Sequence, residues 1–475
     1  MSSKNQWALL GGPVFAMAIG IWLASGIELP WPAVWCAVIT SLCAFWWIFE
    51  PIPMPITAVI PFAAFPLTGI LTHQQVAAKY GHTLVLLMLA GSIVSKGLEK
   101  SGAHRRVALG MVRIVGGPGG RRLVLGFLLA SAVLSMWMSN TATVLMLLPV
   151  VLAVLEGTSD NHRLTIPLLL AVAYGSSIGG IGTPIGTPPN LIFLENYHQI
   201  LQNHPELGGK EMTFAGWMSI GVPMAVVLTP LVWLWLIRGI QSGQKVAIPQ
   251  LGPWRPAEIR VLAVFAMLAL AWLTRSQPAG GWSQLLARVV PGAEQTVGDS
   301  TVALIAVVFM FLIPNGERSG ERLLDWETAI KVPWGVFIMI GGGLTIGQAF
   351  ETSGLREYLG DSLSLLVGLP QVLTIFTLCL TATFLTEITS NTAVSTIVLP
   401  VLGAVAIKAS IDPLLLMVPA TLGLNCSFML PVATAPNAIV FGTGRVPAAR
   451  MAREGFVLNL LGACAITLMT LWLLK

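Results

Sequence analysis

Two stretches decide how this chain folds: SMWMSNTA at residues 135–142 and TEITSNTA at residues 386–393. They lie 251 positions apart, and the same offset pairs Pro149-Val150 with Pro400-Val401. Upstream, Ser101-Gly102 matches Ser353-Gly354 at an offset of 252. Downstream, PIGTPPN at 184–190 matches PVATAPN at 431–437 at an offset of 247. Four features in one order at nearly one spacing mark an internal repeat. Each Ser-Asn-Thr also sits in the middle of an apolar stretch, 122–157 in the first half and 369–408 in the second. Unpaired polar groups at mid-membrane cost several kcal/mol, so an uninterrupted lipid-facing helix is a poor home for them. A re-entrant hairpin, entering and leaving on one side, accommodates them.

The surrounding sequence supplies the membrane. Of 475 residues, 55% are hydrophobic and 10% charged, and mean hydropathy is +0.80. A soluble chain of this length carries roughly 25% charged residues. The apolar residues fall in blocks of roughly 20, the length that crosses about 30 Å of hydrocarbon as a helix. Spans are expected at 7–27, 33–50, 52–71, 82–98, 164–194, 214–238, 256–274, 298–314, 333–350, 411–440 and 451–474. The first block is longer than a signal-peptide core and lacks an obvious cleavage site, so it reads as a retained helix. The fold class is therefore an all-α integral membrane protein with 11 transmembrane helices plus two re-entrant hairpins.

Charge sets the expected orientation. With the N-terminus in the cytoplasm, 19 of the 26 Lys and Arg lie inside and 7 outside, as the positive-inside rule requires. The C-terminus then lies outside, and the expected location is the cell's inner (plasma) membrane. The net charge of +5 is distributed between apolar blocks and not along one solvated face, so it speaks for topology and not for nucleic acid. Segment 102–121, with basic residues among Val, Leu, Met and Ile, reads as an amphipathic helix on the cytoplasmic surface, and 354–366 is its weaker counterpart. The five cysteines are odd in number and lie in apolar blocks without a CxxC, which reads as packing and neither disulfide nor metal.

Each half holds five full spans and one hairpin, after an unpaired first helix in 1–32. An odd number of crossings makes the second half start from the opposite side, an inverted five-helix repeat. Repeat 1 covers 33–240 with a cytoplasm-facing hairpin, 241–255 is a linker, and repeat 2 covers 256–475 with an outward-facing hairpin. Carriers built this way hold their substrate between the repeats near mid-membrane.

The residues there suit a cation and an anion together. Sodium prefers oxygen, and Ser and Thr hydroxyls, Asn amide oxygens and freed carbonyls supply it without full charge. Prolines and glycines in the two Thr-x-Pro-Asn segments break the fifth and tenth spans. The resulting half-helix N-termini offer N–H groups and partial positive charge to an anion. Two equivalent tips fit a two-headed dianion such as succinate or a compact one such as sulfate. No Lys or Arg lies in the tips, so bound cations are expected to neutralise the anion. Glu387 has an apolar repeat counterpart, Met136; it reads either as a proton carrier or, preferably, as a structural partner of backbone N–H groups. An enzyme would need a nucleophile–base pair, paired carboxylates or a metal cluster at depth, and none stands out; no organic cofactor is expected.

With these residues the chain resembles the divalent anion/sodium symporter family, the INDY-type dicarboxylate and citrate carriers. The resemblance spans essentially the whole chain and is carried by SMWMSNTAT at 135–143, GGIGTPIGTPPN at 179–190, LTEITSNTA at 385–393 and FMLPVATAPNAIVF at 428–441. It implies sodium symport of a C4-dicarboxylate by elevator-type motion in a homodimer; a sodium-independent exchanger or a sulfate carrier is the alternative on the same fold. It implies one sodium site around Ser135, Ser139, Asn140 and Gly186, and a second around Thr386, Thr389, Asn391 and Ala433. Substrate carboxylates would meet Asn140, Thr141, Thr187 and Pro188 from one half and Asn391, Thr392, Thr434 and Ala435 from the other. Ala435 departs from the family pattern, which usually has Pro there.

Overall fold

Helix stops written into the repeat set the architecture. At Ser101-Gly102 the glycine takes a left-handed φ of 78°, and its N–H donates to Glu99 O. The Ser101 hydroxyl oxygen accepts from Ala103 N at 3.2 Å and starts the next helix. Ser353-Gly354 does the same: φ is 77°, and Leu355 N donates to Ser353 Oγ at 3.4 Å. Left-handed backbone is what glycine tolerates at a helix C-terminus. Each membrane helix, Thr83–Ser101 and Trp334–Ser353, thus turns sharply into a short helix, Ala103–Gly116 and Leu355–Leu363.

The computed structural model describes residues 3–27, 29–116, 119–156, 162–209, 211–240, 252–275, 281–363 and 370–474. Among these residues the secondary structure is helical, apart from one isolated bridge between Pro314 and Arg322. Eight helices are long and apolar enough to cross a membrane: Gln6–Gly26, Trp31–Phe49, His73–Ser101, Arg163–Ile181, Phe214–Gly239, Pro256–Leu273, Asn391–Lys408 and Ala448–Leu473.

The eleven spans expected from sequence depart from these eight for local reasons. The stretch 164–194 divides into His162–Ile181 and Pro188–Asn203, and 411–440 into Pro413–Leu424 and Ala435–Gly442. Prolines at the first helical positions end one helix and begin the next. The stretch 52–71 forms Met54–Thr57 and Ile60–Leu67, and 298–314 forms the 14-residue Asp299–Leu312. The helix over 333–350 forms as Trp334–Ser353 but is rich in glycine and polar residues. Of the linker at 241–255, residues 241–251 lie outside the described residues, as do 364–366 of the second short amphipathic helix. The first of these helices is described over Ala103–Gly116 and buries Ala108, Leu109 and Val112; residues 117–118 lie outside the described residues, and Gly120 and Arg121 belong to the next helix instead.

The two hairpins fold as helix–turn–helix: Gly120–Ser135 with Asn140–Glu156, and Gln371–Glu387 with Asn391–Lys408. Gly120–Ser135 packs on His162–Ile181, and Gln371–Glu387 packs on Pro413–Leu424. The outer pieces of the broken spans cross between halves. Pro188–Asn203 packs on Asn391–Lys408, and Ala435–Gly442 packs on Asn140–Glu156. This exchange interlocks the halves and brings four helix N-termini together.

Candidate functional site: a cavity between two hairpin tips and two broken helices

The four helices that begin at Asn140, Pro188, Asn391 and Ala435 open onto one cavity of about 430 Å³. Its wall includes Ser139, Asn140 and Thr141 from one tip and Thr389, Ser390, Asn391 and Thr392 from the other. Gly186, Thr187 and Pro188 line it from the first break, and Ala433, Thr434 and Ala435 from the second. Of the residues assigned to sodium or substrate in the sequence, Ser135 and Thr386 alone stand behind the wall, both fully buried. Free N–H groups at the first turns give the cavity a partial positive potential. Among the described residues its lining contains no Lys or Arg, and Glu50 is its one charged residue.

Each half holds its tip with the same parts. The Ser135 hydroxyl donates to Asn140 Oδ1 at 2.5 Å, and the Thr386 hydroxyl donates to Asn391 Oδ1. Each break is closed by a fully buried asparagine. Asn190 Nδ2 donates to Gly180 O and Thr183 O, both at 2.8 Å. Asn437 Nδ2 donates to Ser427 O and Leu430 O, both at 3.1 Å. Breaking a helix strands carbonyls that water cannot reach, and these amides satisfy them. Thr187 and Thr434 precede the outer helices with nearly equal backbone, φ −146° and −141°. Their hydroxyls differ. Thr434 Oγ1 accepts from Asn437 N at 3.3 Å, whereas buried Thr187 Oγ1 has no protein partner among the described residues, and neither does Thr389 Oγ1 in the opposite tip.

Tip and break are also tied to each other, by opposite chemistry in the two halves. The Thr183 hydroxyl donates to the Met136 carbonyl. At the equivalent positions, Glu387 accepts from Met429 N and Leu430 N, each at 2.9 Å, and from Asn459 Nδ2 at 2.7 Å. Glu387 is therefore a structural partner of backbone N–H groups, the preferred of its two sequence readings.

Several contributors were not singled out in the sequence. Ser427 Oγ lies 3.5 Å from Asn391 Oδ1 and 3.4 Å from Thr386 Oγ1, adding an oxygen that Gly180, its equivalent, lacks. The offset of 247 pairs these two positions, so the repeat itself could have pointed to Ser427. Gly180 has to be glycine, because a Cβ there would lie 2.5 Å from the Thr187 methyl and 3.0 Å from Asn140 Oδ1. Buried Glu195, seven residues along the helix from Pro188, accepts from Lys79 Nζ at 3.0 Å and pairs with His82 Nε2 at 3.1 Å. No sequence pattern links these three residues.

The halves differ in what they rest against. In the first, Ser95 Oγ donates to Trp137 O at 2.9 Å, and Ile185 packs where Gly91 leaves room for it. Ile185 is 9% exposed. In the second half the equivalent residues, Ile388 and Val432, are 65% and 81% exposed.

A family model described as the sodium:sulfate symporter transmembrane region matches residues 4–474. The sodium-dependent dicarboxylate transporter SdcS of Staphylococcus saprophyticus subsp. saprophyticus is 37% identical over 462 residues, 93% of this chain and 86% of its own length. SdcS of Staphylococcus aureus strain MRSA252 is 36% identical over 470 residues, covering 94% and 87%. Among solved structures, the YdaH transporter of Alcanivorax borkumensis aligns with a TM-score of 0.60 over 94% of this chain and 98% of its own, at 15% identity, a likeness of fold.

Proposed function

The chain belongs to the sodium:sulfate symporter transmembrane-region family, a family of multi-pass membrane transporters and not of enzymes, and from that premise we propose that it carries a C4-dicarboxylate such as succinate into the cell with sodium. The observation that carries this reading is the cavity wall: four helix N-termini, the amides of Asn140 and Asn391, and, among the described residues, two Thr hydroxyls without protein partners and no Lys or Arg. Such a wall attracts two carboxylates but cannot neutralise them, so cations must accompany the substrate. The names of the SdcS relatives point the same way.

In this reading one sodium ion is held by Ser135, Ser139, Asn140 and Gly186, and another by Thr386, Thr389, Asn391 and Ala433. The paired Asn140 and Asn391 oxygens, each already beside a hydroxyl, support these assignments. The substrate carboxylates meet Asn140, Thr141, Thr187 and Pro188 on one side and Asn391, Thr392, Thr434 and Ala435 on the other. The halves, 33–240 and 256–475, act as inverted repeats; matching break, tip and helix-stop geometry supports this. The unequal support of Ile185 and Val432 fits a body that moves against the helices Thr83–Ser101 and Trp334–Ser353, an elevator-type step. Exposed Glu50 and Pro333 share the wall of the cavity, and the charge bias puts both on the cytoplasmic side, which fits an inward-open state. The working unit in this reading is a homodimer with its N-terminus in the cytoplasm and its C-terminus outside.

Uptake of labelled succinate into proteoliposomes tests the function. A sodium gradient should drive accumulation, and potassium in its place should not. Equal uptake in potassium would remove the coupling, and uptake of sulfate in preference to succinate would reassign the substrate.

A further inference from the structure

A second cavity, of about 850 Å³, lies where His162–Ile181 and Ala448–Leu473 begin and Phe214–Leu236 ends. Among the described residues its wall carries Arg163, Arg238, Arg450 and Arg453 against a single carboxylate, Glu454. Both oxygens of Glu454 are engaged, by Arg238 Nη2 at 3.0 Å and Arg450 Nη2 at 2.9 Å. Arg163 and Arg453 are exposed and have no partner among the described residues. Four guanidinium groups around one carboxylate leave a strong positive excess in one concavity. Positive-inside charge explains basic residues at this end of the helices, but not their convergence on a recess.

The lining changes character along the helices. Ile166, Pro167 and Leu170 follow Arg163, and Val457 follows Arg453 one turn on. Guanidinium groups at the mouth bind phosphate through paired N–H groups, and the aliphatic wall continues toward the membrane interior. A soluble anion would use the first feature and leave the second in water. We propose that this cavity binds the headgroup of an anionic phospholipid, with its phosphate on Arg163 and Arg453 and an acyl chain along Ile166, Pro167 and Val457. Basic recesses between membrane helices are suited to such headgroups. His162–Ile181 runs from the recess to the first break, and Ala448–Leu473 carries Asn459, which holds Glu387. Bound lipid would therefore brace the helices that support the transport cavity.

The test uses the full-length protein in micelles, titrated with phosphatidylglycerol, phosphatidylcholine or inorganic phosphate and read by native mass spectrometry and thermal unfolding. Phosphatidylglycerol should bind and raise the unfolding temperature; the other two should not. Each interfacial Lys or Arg contributes about 1 kcal/mol, so Arg163→Gln with Arg453→Gln should weaken phosphatidylglycerol about thirty-fold. Arg453→Gln alone should weaken it about five-fold, which keeps the test valid if the double variant fails to fold. Arg105→Gln, at an exposed residue of Ala103–Gly116 outside the recess, should leave binding unchanged. The proposal is overturned if inorganic phosphate reproduces the full effect, if Arg105→Gln weakens binding as much, or if the Arg163 and Arg453 variants bind phosphatidylglycerol like the parent.

Discussion

At the scale of single residues, asparagine does two jobs that one amide can combine in a membrane. Asn140 and Asn391 start the second hairpin arms and turn their oxygens toward a hydroxyl beside the cavity. Asn190 and Asn437 lie fully buried and close the helix breaks. Replacing Asn140 or Asn391 by Ala should abolish sodium-driven uptake while the protein still purifies as a folded species, checked by transport and size-exclusion chromatography. Sodium-dependent uptake retained in both variants would sink the site assignment. The tie between tip and break gives a graded test. Glu387→Ala orphans three donors, each at about 1–3 kcal/mol when buried, whereas Thr183→Val removes one hydrogen bond worth about 1 kcal/mol. Thermal unfolding should therefore fall much further for Glu387→Ala than for Thr183→Val. A Glu387→Ala variant as stable as the parent would contradict the structural role.

At the scale of elements, the broken spans are the decisive devices. Each outer piece begins after a threonine in extended backbone, and its first turn faces the cavity. The first break has Pro188-Pro189 and the second Ala435-Pro436, so the second retains one backbone N–H at the helix start. Ala435→Pro removes that donor without disturbing Asn437 or the Thr434 cap. It should change the apparent succinate affinity in uptake assays while leaving expression near the parental level. A variant with lost expression but unchanged affinity would show that the position serves folding alone. Both breaks were legible in the sequence because proline and glycine announce them. Their division of one apolar block into two helices, with the first outer piece running to Asn203, was not, because hydropathy carries straight across the break.

At the scale of the whole molecule, two halves with matching local geometry rest unequally on the long helices beside them. Ile185 is covered and Val432 is bare. In a protein whose exposed Cys464 is first replaced by Ala, a cysteine at 432 should react rapidly with a maleimide and one at 185 slowly. Comparable rates would mean that the asymmetry is absent in the membrane. By itself the sequence determined the membrane class, marked the two polar tips and the two proline breaks, and singled out 12 of the residues that line the cavity, because apolar blocks, prolines and repeated polar triplets are local signals. The tertiary structure alone decided the crossing of each outer helix onto the opposite hairpin, the roles of Asn459 and Glu195, and the unequal cover of Ile185 and Val432. Those depend on contacts between residues far apart in the chain, such as Tyr174 Oη donating at 2.8 Å to Phe428 O, 254 positions on, and packing over that distance leaves no periodic trace in the chain.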